Sequence, residues 1–233
     1  MTQEKTCIII SKNGMKLLND IKYLLYKDIR LEWRTPIAIN GILLYVAATV
    51  MIVYMSFFTM QPQLWNALFW IVMLFVSLNA VAKSFLLESR ERNWYYFTLT
   101  SPQAIIVSKL IYNFILLLIV GLFTFAIYSI VLKNPVKHID LFLLALLLGS
   151  TSFASCFTLI SAIASHTSNG MAMMPILGFP LIIPIVALLI QISVAAFLPV
   201  ADAHYWEKVI SLVSINVIAL ILSWLLFPYL WQE

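Results

Sequence analysis

Apolar and polar residues in this chain do not alternate. The apolar ones gather into six long runs: Ile37 to Phe58, Leu64 to Ala82, Ala104 to Val131, Ile139 to Ser165, Met171 to Phe197 and Val209 to Leu230. A hydrocarbon core about 30 Å thick takes roughly 20 residues of α-helix, so each run predicts one transmembrane helix. A closed barrel, the other way to satisfy every backbone group in lipid, would need a period of two, and the runs have none. The stretch from Met15 to Trp33 is of another kind. Leu17, Ile21, Leu24, Leu25 and Ile29 recur at spacings of three and four, while Lys16, Lys22, Lys27 and Arg30 fill other faces. That pattern predicts an amphipathic helix lying in the membrane interface or packed on another protein, ended near Thr35 by Pro36.

Composition sharpens the picture. Of 233 residues, 63% are hydrophobic and 10% charged, against about 45–50% and about 25% in a soluble domain. The expectation is an all-α integral membrane protein with a polar tail at 1–14, an amphipathic interfacial helix at 15–35 and a six-helix transmembrane domain at 36–233. The apolar patch from Cys7 to Ile10 is too short for a cleaved signal peptide. Cys7 falls in the tail and Cys156 in the fourth run, so no disulfide is expected.

Charge sets the expected orientation, because cytoplasmic flanks hold the excess of Lys and Arg. With the N-terminus inside, eleven of the 14 basic residues fall on the cytoplasmic side, and only Lys133, Lys137 and Lys208 on the other. Both termini are therefore expected in the cytosol, even though the inside loop "HTSNG", His166 to Gly170, carries no basic residue.

Little in the runs suggests chemistry. Their only Lys, Arg, Asp or Glu residues are Lys109 and Asp140, each near a run's end and read as boundary residues whose charges reach the headgroups. His138, His166 and His204 lie in three different loops, with no HxxxH or CxxC spacing to suggest a metal. None of the six glycines stands in a GxxxxGK[ST] string, so ATP, if used, is hydrolysed by a partner. No catalytic residue, metal site or nucleic-acid partner is expected.

Two loops stand out. The stretch after the second run, within about 83–103, sets Glu88, Arg90, Glu91 and Arg92 beside Trp94, Tyr95, Tyr96 and Phe97 and ends at Ser101 and Pro102. Aromatic anchors next to orienting charges suit docking in a partner's groove, and equally suit anchoring at headgroups. On the opposite face, "FLPVADAHYWEK" brings together His204, Tyr205 and Trp206, read as an aromatic belt with a contact outside the membrane. The fifth run carries Pro180 and Pro184 one turn apart. Each removes a backbone donor. They are read as a kink tolerated by packing inside a bundle, and as a candidate hinge or pathway wall.

The strings "LALLLGSTSF", Leu144 to Phe153, and "ILGFPLIIPIVALL", Ile176 to Leu189, resemble the CcmB family, the membrane subunit of the ABC-type haem exporter of cytochrome c maturation. The order of parts is similar over nearly the whole chain. The resemblance implies an ABC-2 permease-like fold, with Met15 to Trp33 as an elbow helix and Ser84 to Phe97 as a coupling helix. It makes Glu88, Arg90, Glu91, Arg92 and Trp94 the ATPase contacts. It also implies ATP on a CcmA-like ATPase subunit, CcmC-like and CcmD-like membrane neighbours, a CcmE-like chaperone, haem as cargo, and a bacterial inner membrane. Other readings are a permease for lipid, polysaccharide or drug, a membrane enzyme acting on haem or a headgroup, and a passive scaffold.

Overall fold

A computed structural model describes residues 19–32, 37–57, 60–86, 101–164, 170–198 and 204–230. All of the regular structure in these residues is helical. Helix α1 covers residues 19–32. It is followed by α2 (Ile37–Ser56), α3 (Pro62–Leu86), α4 (Pro102–Val131), α5 (Ile139–Ala164), α6 (Gly170–Val194) and α7 (Tyr205–Leu230). The last six are each long and apolar enough to cross a membrane, with spans within a few residues of those expected from the sequence.

Prolines open two of these helices, where a missing N–H costs nothing. Pro62 starts α3, and Pro102 starts α4 behind an extended Ser101 whose carbonyl accepts from Ala104 and Ile105 at 3.0 and 3.3 Å. At the other end of α4, Lys133 adopts φ 58°, the left-handed turn that stops a helix. With 30 residues, α4 is about 45 Å long, so its ends reach beyond the hydrocarbon.

The bundle is organised around α5, which packs on α3, α4, α6 and α7. Its span is 72% buried, against 22% for α2 and for α7. The reason lies in "GSTSFASCFTLISAIA". Small residues let backbones approach closely in lipid, where apolar side chains gain nothing by choosing protein over acyl chains. Several of the α5 hydroxyls find acceptors within the helix, although Ser161 Oγ has none among the described residues. Ser150 donates to the Leu146 carbonyl at 2.9 Å, Ser152 to Leu148 at 2.7 Å and Ser155 to the Ser152 carbonyl at 3.1 Å.

Gly149 shows how tight the approach is. A β-carbon there would lie 2.5 Å from the Trp70 ring on α3, whereas one at Gly178 would make ordinary contact with Phe157.

Candidate functional site

Since spans alternate in direction, the starts of α2, α4 and α6 lie at one end of the bundle, with α1, and the starts of α3, α5 and α7 lie at the other. At this far end, Trp65 and Phe69 of α3, Phe125 and Tyr128 of α4, Phe142 of α5 and Phe197 beyond α6 form one aromatic cluster. Trp65 meets Tyr128 edge-on at 5.1 Å and Phe142 at 5.6 Å, and Phe125 stacks on Phe142 at 4.8 Å. The backbone N–H groups of Lys137 and His138 both donate to the Ala196 carbonyl at 3.0 Å, tying the α4–α5 loop to the end of α6.

Beside the cluster, α3 and α6 share a buried polar contact. The Trp70 indole N–H donates to Ser193 Oγ at 2.9 Å, and Asn66 Nδ2 donates to the Ile190 carbonyl at 3.0 Å. Ser193 Oγ lies 2.7 Å from both Asn66 Oδ1 and the Leu189 carbonyl, with a single proton to give. Deeper in the bundle, Asn113 of α4 donates to Thr158 Oγ1 of α5 at 2.8 Å.

The α1 end is built differently. Ile21 and Leu24 of α1 pack on Ala104, Ile105 and Ile106 of α4 and Ala162 of α5. One turn further, the Asp28 carboxylate lies 3.3 Å from the Lys109 ammonium and 3.2 Å from that of Lys27, with Asp28 and Lys109 both buried. Another turn on, the Tyr112 hydroxyl donates to Glu32 Oε2 at 2.8 Å. Lys109 is thus a buried, ion-paired residue, which corrects its reading as a headgroup boundary residue. The signal was in the sequence. Asp28 and Glu32 continue the three- and four-residue spacing of Ile21 and Leu24, so the face of α1 that docks on α4 is apolar and then acidic.

Glu88, Arg90, Glu91, Arg92 and Trp94 lie outside the described residues. Pro180 and Pro184 lie within α6, which continues as helix through both. Both are exposed on the outside of this chain's bundle, which corrects their placement in its interior. By helical geometry their missing N–H groups leave the carbonyls of Ile176 and Pro180 unbonded in the ladder. Ile176, Leu177, Leu181 and Ile183 are exposed around the same stripe.

At the far end, His204 Nδ1 sits 3.0 Å from Glu207 Oε2, both exposed, and Trp206 is 67% exposed. Tyr205 turns inward and is buried, so the expected aromatic belt reduces to Trp206. Among the described residues no three His, Cys, Asp or Glu side chains are grouped as metal ligands.

Six apolar helices, one of them a small-residue hub on which four others pack, with an amphipathic helix fastened to one end, define an all-α, multi-pass integral membrane protein. A family model described as CcmB protein matches residues 19–229, from α1 almost to the end of α7. The chain belongs to the CcmB family, the membrane component of ABC-type haem exporters. Comparison with curated proteins finds no match, and comparison with solved structures finds none.

Proposed function

We propose that this chain is the transmembrane subunit of an ABC transporter complex. It couples ATP hydrolysis on a partner subunit to haem export, or to release of haem-loaded chaperone, during cytochrome c maturation. The observation that carries this reading is the family match over residues 19–229, which takes in the docked α1 and all six spans rather than one motif. The partners are a CcmA-like ATPase, CcmC-like and CcmD-like membrane subunits and a CcmE-like haem chaperone. The membrane is the bacterial inner membrane, with both termini in the cytosol as the excess of Lys and Arg favours.

Within this reading, Glu88, Arg90, Glu91, Arg92 and Trp94 contact the ATPase. Pro180 and Pro184 face another membrane subunit or the pathway rather than lipid. Unbonded carbonyls in hydrocarbon cost several kcal/mol each, and a neighbouring helix or a wet cleft removes that cost. His204 and Trp206 offer an exposed contact on the outer face.

Co-purification in detergent, followed by ATPase measurement on wild type and on Glu88→Ala with Arg92→Ala, tests the proposal. An ATPase that accompanies the wild-type chain and is lost or uncoupled in the double variant is the expected result. A chain that purifies without any nucleotide-dependent partner would overturn it.

A further inference from the structure

The contact between α1 and α4 is more than a resting place for an amphipathic helix. In a membrane interface Ile21 and Leu24 lose no more by facing acyl chains than by facing Ile105 and Ile106, since lipid is as apolar as the protein. Apolar contact therefore does not decide where α1 sits. The charged contacts do. Asp28 and Lys109 are both buried, at 6% and 5% exposure, and Asp28's other partner, Lys27, lies on α1 itself and does not tie it to α4; a buried charge that loses its partner across the contact is strongly unfavourable. The second contact, Tyr112 to Glu32, follows in the same direction along both helices, three residues on in α4 and four in α1. Together they fix the register and heading of α1 as well as its proximity.

Position in the chain gives the contact its meaning. The sequence holding Glu88 to Phe97 runs directly into Pro102, the first residue of α4, and Ala104 to Ile106 are the residues on which α1 rests. A displacement applied to the start of α4 is thus shared with α1. We infer that Lys109 is a positioning residue whose ion pair with Asp28, backed by Tyr112 and Glu32, makes α1 and the first turns of α4 one rigid input arm for the ATPase. This rests on the ATPase-coupling reading above.

The test uses the full chain in membrane vesicles with its partner ATPase, in a Cys7→Ser, Cys156→Ala background carrying Leu24→Cys at the buried α1–α4 contact. Lys109→Met should raise maleimide labelling of that cysteine by about tenfold or more and lower coupled ATPase activity to a similar degree. The reversed pair, Asp28→Lys with Lys109→Asp, made together with Lys27→Glu so that two ammonium groups do not meet, should restore both, which a merely space-filling role for Lys109 would not. If wild type couples and Lys109→Met couples and labels equally, the positioning inference falls and the coupling reading stands. If the reversed pair assembles but restores neither readout, the inference falls as well. If the wild-type chain recruits no ATPase, the coupling reading falls and takes the input arm with it.

Discussion

At the far end of the bundle Trp65, Phe69, Phe125, Tyr128, Phe142 and Phe197 interlock, and the α4–α5 loop is bonded through Lys137 and His138 to the backbone at Ala196. At the α1 end, contacts that join α1 to α4 include the Asp28–Lys109 ion pair and the Tyr112–Glu32 hydrogen bond over a small apolar patch. In a bilayer the hydrophobic effect does not favour protein over lipid as a neighbour. Each end must therefore hold its helices by something else. The far end uses shape and dispersion, spread over many atoms and hard to release in part. The α1 end uses a few directional polar contacts, each strong and each removable by one substitution. The first suits a fixed base, the second a junction that passes on movement.

Substitutions sharpen this contrast, and SDS-titrated unfolding in detergent, followed by circular dichroism, reads all of them. Trp65→Ala removes a ring that meets every other ring of the far-end cluster and should cost about 3 kcal/mol, mainly from the cavity and lost dispersion rather than transfer. A cost below about 1 kcal/mol would mean that the far end is not held by shape. Gly149→Ala tests tightness at the hub. The added methyl meets the fully buried Trp70 ring, which must move, and about 2 kcal/mol is expected.

The smallest effects come from a matched pair of tyrosines. Tyr112→Phe deletes a hydrogen bond to a carboxylate and should cost about 1.5 kcal/mol. Tyr128→Phe deletes a buried hydroxyl with no hydrogen-bond partner among the described residues, and should change stability by less than about 0.5 kcal/mol or raise it. If Tyr128→Phe proves the costlier of the two, the division into a shape-held end and a polar end is wrong.

The six spans were legible because length and continuous apolarity are all that a bilayer demands of a helix, and the boundaries at Val131 and Ile139 were read to the residue. Which face of each span turns inward was not legible. Pro180 and Pro184 are expected inside because broken ladders usually need neighbours, yet in this chain they face outward. Lys109 was misread because its partner lies 81 positions earlier, on a helix that periodicity identifies as amphipathic without saying what its face meets. Tyr205 and Trp206 are adjacent and chemically alike. Successive side chains on a helix lie about 100° apart, which sends one inward and the other out. The polar bridge from Asn66 and Trp70 to Ser193 was invisible for the same reason, since its partners are more than 120 positions apart.

Those separations bear on how the protein is made. Spans α2, α3 and α4 enter the membrane first, and they touch one another, so they can gather as a trio. Yet Asn113 has its partner on α5, and Asn66 and Trp70 have theirs on α6. Until the ribosome has delivered residues 158 and 193, the first half of the chain carries amide and indole groups into lipid with no acceptor in place. Assembly is therefore a debt incurred by the early spans and cleared only by the late ones, and a nascent chain stalled before α5 is left as an incomplete bundle with its polar side chains exposed to the bilayer.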